Sequence, residues 1–400
     1  MFTGWQPVLS RDRGLYPTEL KNRLERTGRR GVRPDDAIAM TRFNSTYLEM
    51  VDRTFKIKGM FAPLAGISAL AAFLVASLSL PWRPLVVESE VDLENIAAVA
   101  LMSLVFVGCC VRLWRLNLRK DLFQYTYYPV RFNRRSQKVY FFRHNGAGGV
   151  VEVPWDSPSL FFHVGCGGQN TELRDLRCHV LDENRQVMDT FTMGHFWTGD
   201  AEVHKMWEFI CRYMQNGPDQ AFATPSEGVI TLSTLPTLRN HWMMVCLMMG
   251  TALLPMRYTL MFPLYAALTA CRWLVFKSCT APVFPQKIEL ECAISADDPL
   301  ALPEPRFMAE FARAHAVRQH VRERLWEWNA HEGAMLFDAS WVGWKVVAWI
   351  LAGLLFMHGL KDFALANLYG ACLISTGFLL VFATFLSSIG GGVGPHPRFE

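Results

Sequence analysis

The sequence predicts an α+β membrane protein, with about six transmembrane helices in three hairpins and a cytoplasmic, mainly β domain between them. Three observations predict it. The chain of 400 residues is 51% hydrophobic, and the excess is gathered into a few long apolar runs rather than spread through one core. Lysine and arginine cluster at particular ends of those runs. Between the second and third runs lie short segments rich in β-branched and aromatic residues, separated by polar turns.

About 20 mostly apolar residues are needed to cross the hydrocarbon of a bilayer. Residues 59–82 and 96–114 meet that length and predict a first hairpin over 59–116. Residues 241–276 are too long for one span and barely long enough for two, with a turn at Pro255, Met256 and Arg257. A single tilted or re-entrant helix fits the same stretch. Residues 341–360 and 368–388 predict a third hairpin over 341–388, followed by a flexible tail, 389–400.

Orientation follows from the bias of basic residues near span ends. Arg42, Arg53, Lys56 and Lys58 precede the first run, whereas the loop after it carries only Arg83. That bias places both termini and residues 117–240 on the cytoplasmic side. The first apolar run begins near Gly59, too late for a cleaved leader. Five of the ten cysteines lie in apolar runs and the others in segments assigned to the cytoplasm, so no disulfide framework is expected.

Residues 117–240 carry the pattern of a β-domain. "VRFNRR" and "KVYFFR" flank a polar break and predict a hairpin. "GVVEVPW", "LFFHV", "LRCHVLD" and "VMDTFTMG" predict further strands. "GDAEVHKMWEFICRYMQN" then predicts a helix with Asp200 as its N-cap and Val203, Met206, Trp207, Ile210 and Tyr213 on one face. Residues 1–58 read as a basic segment, with an amphipathic helix from about Ser45 to Lys58. Residues 277–340 read as a strand, "KIELECAI", that could extend the sheet, followed by an amphipathic helix over 306–328.

Strands followed by one terminal helix, with Trp155 in "VPW" and a basic hairpin, resemble bacterial pleckstrin-homology-like modules. On a larger scale, "VRFNRRSQKVYFFR", "VEVPWDS" and the stretch from "DTFTMG" to "WEFICRYM" resemble the domain-of-unknown-function family numbered 6708. That resemblance implies a multi-pass protein found beside interbacterial toxin genes, including type VI secretion loci. It brings no catalytic residues with it.

Arg131, Arg134, Arg135, Lys138 and Arg143 form a basic group on the predicted hairpin. Each such charge is worth about 1 kcal/mol against an anionic membrane surface. They read either as a lipid or partner contact or as a solvated face. On 306–328, Phe307, Phe311, Leu325 and Trp328 stand beside Arg318 and Arg322, which fits an interfacial helix or one packed on the β-domain. His163, Cys166, Cys178 and His179 match no metal-ligand spacing, and Cys178 and His179 point to opposite faces of a strand, so metal is set aside.

No nucleotide-binding loop and no nucleophile motif is present in the sequence, and no catalytic residue or cofactor is expected. The formal net charge of +4 lends nucleic-acid binding no support. The expected function is therefore binding. The leading form is a non-enzymatic immunity protein that neutralises a toxin, with membrane lipids and a toxin or effector as partners and the oligomeric state open. A lipid-sensing or scaffolding module is the alternative, and a small-solute transporter the third.

Overall fold

Alternation of side chains along short strands builds two antiparallel sheets. The computed structural model describes chiefly residues 11–27, 31–60, 118–167, 172–249 and 261–308. The chain divides into two compact units, residues 1–236 with 271–311 and residues 237–270 with 312–400. Both sheets belong to the first unit.

The first sheet has five strands in sequential order: β1 (Met40–Phe43), β2 (Tyr47–Met50), β3 (Val130–Asn133), β4 (Lys138–Phe142) and β5 (Val150–Pro154). Asn44 makes the first turn, its Oδ1 accepting from the backbone N–H groups of Thr46 and Tyr47 at 2.9 and 2.8 Å. Asn133 does the same at the β3–β4 turn, accepting from Ser136 N–H at 2.9 Å. Both are turn chemistries in which a short amide mimics a backbone carbonyl. The second sheet has three strands: β6 (Leu160–Cys166), β7 (Leu173–Leu181) and β8 (Val187–Thr198).

Among the helices, α1 (Pro17–Lys21) precedes the sheets and α2 (Ala201–Asn216) follows β8. Helix α2 ends where Gly217 takes φ +105, a conformation that costs glycine little. Inward-facing rings join the layers. Phe141 of β4 stacks on Phe191 of β8 at 4.4 Å, and Trp155 lies 5.8 Å from Trp207 of α2 and 5.5 Å from Phe162 of β6. Trp207 and Phe162 are 4.5 Å apart, and the indole N–H of Trp207 donates to Glu25 O at 2.9 Å. The buried tryptophan is thus held by packing and a satisfied polar handle together.

The strands expected over 130–198 and the helix after them are present at those places. Four other expectations are corrected. Among the described residues no helix is long and apolar enough to cross a membrane, which overturns the six spans and the multi-pass reading. Residues 241–276 hold α3 (Leu238–Met249), of 12 residues, and α4 (Phe262–Ser278), of 17. At 1.5 Å per residue both fall short of the ~30 Å hydrocarbon thickness. The apolar C-terminal end of α4 has a protein partner instead, for Phe276 packs edge-on to Phe55 at 5.7 Å. The hairpins expected at 59–116 and 341–388 lie for the most part outside the described residues.

Second, Ser45–Lys58 is not an amphipathic helix. It forms β2 and then a 3-10 turn at Arg53–Lys56, because Asp52 accepts from the backbone N–H of Thr54 at 2.9 Å and starts a new element. Third, "KIELECAI" is largely helix α5 (Gln286–Glu291), not an edge strand. Its Ile288 packs with Phe284 and Cys292 on Tyr47, Tyr140 and Phe142, on the face of the first sheet opposite the core. Fourth, the β-sheet is not confined to 117–240, since β1 and β2 come from residues 1–58, read in the sequence as a separate basic segment.

Replacing Trp207 by Ala empties the junction of both sheets and α2. It is expected to lower stability by about 3–5 kcal/mol, read as a shift of the urea midpoint at unchanged slope.

Candidate functional site

The two faces of the three-stranded sheet differ sharply in chemistry. Leu176, Cys178 and Phe191 point into the core, and all are buried. The opposite parity carries His163 on β6, Asp175, Arg177 and His179 on β7, and Thr190 and Thr192 on β8. A polar face of this kind is tolerated in the interior only where each group finds a partner.

The N-terminal segment supplies the cover. Asp12 N–H donates to Val187 O at 2.8 Å, and Val187 N–H donates to Arg13 O at 2.7 Å, which seals the start of β8. Leu24 N–H donates to Phe162 O at 2.8 Å, and Val164 N–H to Asn22 O at 3.0 Å, which seals β6. Helix α1 lies between these two anchor points. Its Glu19 Oε2 accepts from Tyr16 N–H at 2.9 Å, a capping contact at the helix start.

Glu19 reaches the polar face. Arg13 grips both carboxylate oxygens, at 2.9 Å (Oε2) and 2.6 Å (Oε1). His179 Nε2 lies 3.2 Å from Glu19 Oε1, a hydrogen-bond separation in a direction that misses the bond. Burial works to raise the Glu19 pKa, but the contacts with His179, Arg13 and Tyr16 outweigh it and hold the carboxyl well below its ordinary range. The His163 ring sits 4.5 Å from that of His179. Burial first, then the neighbouring His179 and Arg177, push the His163 pKa down to about 3, so its ring is neutral. His163 Nδ1 faces Val164 O at 3.3 Å and His179 Nδ1 faces Thr190 Oγ1 at 2.7 Å. Glu19, His163 and His179 together offer three ligand atoms within 4.8 Å of one another.

Beside this group, Asp175 is clamped between two arginines. Arg53 Nη1 lies 2.5 Å from Oδ2, and Arg177 Nε lies 2.8 Å from Oδ1. Arg177 also donates to Cys166 O at 2.6 Å. Burial pushes the Arg53 pKa down, and the charge of Asp175 opposes that. Gly165, opposite Asp175 in the β6–β7 register, leaves the space for this pair, since a Cβ there would overlap Arg177 Nε and Asp175 Oδ1.

The basic group marked in the sequence is placed otherwise. Arg131 is buried, with Glu49 at 2.6 Å and Glu289 at 2.9 Å. Lys138 pairs with Glu152 at 2.6 Å and Glu291 at 3.0 Å, and Arg143 with Asp189. Arg134 is half-buried and Arg135 exposed. Of the second set, Phe307 and Phe311 fall among the described residues, Phe311 exposed, whereas Arg318, Arg322, Leu325 and Trp328 lie outside them. Sequence spacing set His163 and His179 aside as ligands, and the sheet register brings them together. Glu19 was missed, although "PTELK" carries the helix-start signal of a proline followed two residues later by an acid.

A second group of buried charges surrounds the start of residue 59's turn. Lys58, Asp121 and Arg272 have their charged forms disfavoured by burial, so the pKa of Lys58 and of Arg272 is lowered and that of Asp121 raised. Arg272 Nη1 donates to Lys58 O at 2.5 Å, and Asp121 Oδ2 accepts from Gly59 N–H at 2.9 Å. Near them His195 is fully buried, stacked 6.3 Å from Phe55.

Two outcomes follow from these contacts. Gly165→Ala is expected to cost about 1–3 kcal/mol, as other overpacked sites do, measured by urea denaturation. His195 has its pKa held well below 6.5, by burial and then by Lys56 and Arg272. As pH falls below about 6.5 the unfolded chain therefore takes up this proton first, and stability declines. His195→Gln is expected to flatten the loss of stability between pH 7 and pH 5, and an unchanged slope would refute it.

No curated protein and no solved structure matches the chain. Residues 110–296, which span β3 to α5, match the model of a family of unknown function, DUF6708, and over that stretch the chain is similar to an uncharacterised family.

Proposed function

We propose that this chain is a non-enzymatic binding protein of interbacterial antagonism, and that it neutralises a toxin by direct contact. The observation that carries the reading is the segment 283–294. Phe284, Ile288 and Cys292, spaced four apart, are buried against the first sheet. On the same segment Val283, Leu290 and Ile294 are 60%, 69% and 45% exposed. One apolar set holds the segment to the fold, and the second has no such role. The terminal strand β5 belongs to the sheet that the segment covers, and terminal strands accept partner backbone.

The type VI setting is part of this proposal and is what the resemblance to family 6708 implies; the family that residues 110–296 match is itself of unknown function. The lipid-sensing alternative draws less support, because Arg131, Lys138 and Arg143 are held by carboxylates of the protein itself.

The test is growth of cells carrying a toxin gene taken from the neighbourhood of the chain's own gene. Co-expression of the chain is expected to restore growth. Leu290→Asp, at an exposed position, is expected to reduce both protection and toxin capture by at least tenfold without changing the urea midpoint. Failure of the unsubstituted chain to protect against any neighbour-encoded toxin would overturn the proposal.

A further inference from the structure

We propose that Glu19, His163 and His179 form a binding site for a divalent transition-metal ion of the zinc class. The inference is independent of toxin binding. It begins from two ring nitrogens that the fold buries without a hydrogen-bond partner. His163 Nε2 and His179 Nε2 are both in this position, on side chains that are almost wholly buried.

The other nitrogen of each ring is engaged, which is the arrangement that orients histidine toward a metal. Val164 O can only accept, so His163 Nδ1 carries the proton and Nε2 presents a bare lone pair. The Thr190 hydroxyl both donates and accepts, so it permits the same tautomer in His179. Arg13 grips both oxygens of Glu19, at 2.9 Å (Oε2) and 2.6 Å (Oε1), and Oε1, which lies 3.2 Å from His179 Nε2, keeps a second lone pair to serve as the third ligand.

The donor set is two imidazoles and a carboxylate, which suits zinc and its neighbours rather than calcium or magnesium. Tetrahedral zinc at bond lengths near 2.0–2.1 Å sets its ligand atoms roughly 3.3 Å apart. The three atoms here lie within 4.8 Å of one another, so small side-chain rotations bring them to that spacing. A water molecule would take the fourth position. Both histidines come from the sheet and Glu19 from the N-terminal segment, so the ion would tie that segment to the sheet. The Arg13 charge opposes the ion, and the Glu19 carboxylate that it grips offsets part of that opposition.

The experiment is a titration of the full chain with Co²⁺, then displacement by Zn²⁺. Saturation at one ion per chain is expected, with a visible Co²⁺ band that Zn²⁺ removes. Glu19→Gln, His163→Gln and His179→Gln are each expected to weaken binding at least tenfold. Cys166→Ser, at an exposed thiol, is expected to leave it unchanged. Absence of saturable binding, affinity in all three variants equal to that of the unsubstituted chain, or loss only in Cys166→Ser would overturn the site. Limited proteolysis of the unsubstituted chain keeps the test open if a histidine variant fails to fold. Zn²⁺ is expected to slow cleavage within residues 11–27 at least fivefold relative to Mg²⁺, and equal rates would count against the proposal.

Discussion

Asp175 buried between Arg53 and Arg177 is the constraint on which the rest of the first unit depends. A carboxylate taken out of water is costly unless charge and hydrogen bonds replace the lost hydration. Here one of the two guanidinium groups comes from the strand itself and the other from a turn more than a hundred residues earlier. Arg53 can reach Asp175 only if the chain from Met40 to Lys56 is already laid against the second sheet. That placement makes β2 the neighbour of β3, with β1 beyond it, and Gly194 N–H of β8 donates to Val51 O at 2.7 Å. The charge cluster therefore couples two sheets that share no strand.

The same logic recurs on the first sheet. Glu49 of β2 is buried with Arg131 of β3, and the pair sits directly opposite in the strand register. Arg131 also lies 3.9 Å above the ring of Phe284 and pairs with Glu289 of α5. A residue that reads as a surface cation thus serves as the bolt between three elements. Removing one partner from such a pair leaves an uncompensated charge in the interior, which costs far more than the loss of a surface ion pair.

The two faces of β6–β8 divide their chemistry. One face closes the aromatic core around Trp155 and Trp207. The other collects histidine, carboxylate and guanidinium groups beneath α1 and the strands of backbone on either side of it. The first sheet, in contrast, carries segment 283–294 on its outer face through Phe284, Ile288 and Cys292 and leaves Val283, Leu290 and Ile294 exposed.

Much of this was legible in the residues taken alone. Period-two alternation in "LRDLRCHVL" separates Asp175, Arg177 and His179 from Leu176, Cys178 and Val180, and it correctly put Cys178 and His179 on opposite faces. The strands from 130 to 198 and the helix after them were visible because each element is local and strongly patterned. Apolar run length misled for 241–276, since a short helix buried against protein and a membrane span share the same composition. "KIELECAI" misled because its alternation suits a strand, whereas its burial repeats at Phe284, Ile288 and Cys292, the period of a helix. What only the tertiary structure decided was partnership across long separations: Arg53 with Asp175, Arg131 with Glu49 and Glu289, and Glu19 with His163 and His179. Local sequence encodes which way a side chain points from its strand. Which distant group meets it depends on sheet order and register, and these emerge only when the whole chain has minimised its exposed apolar surface and its unpaired buried charge.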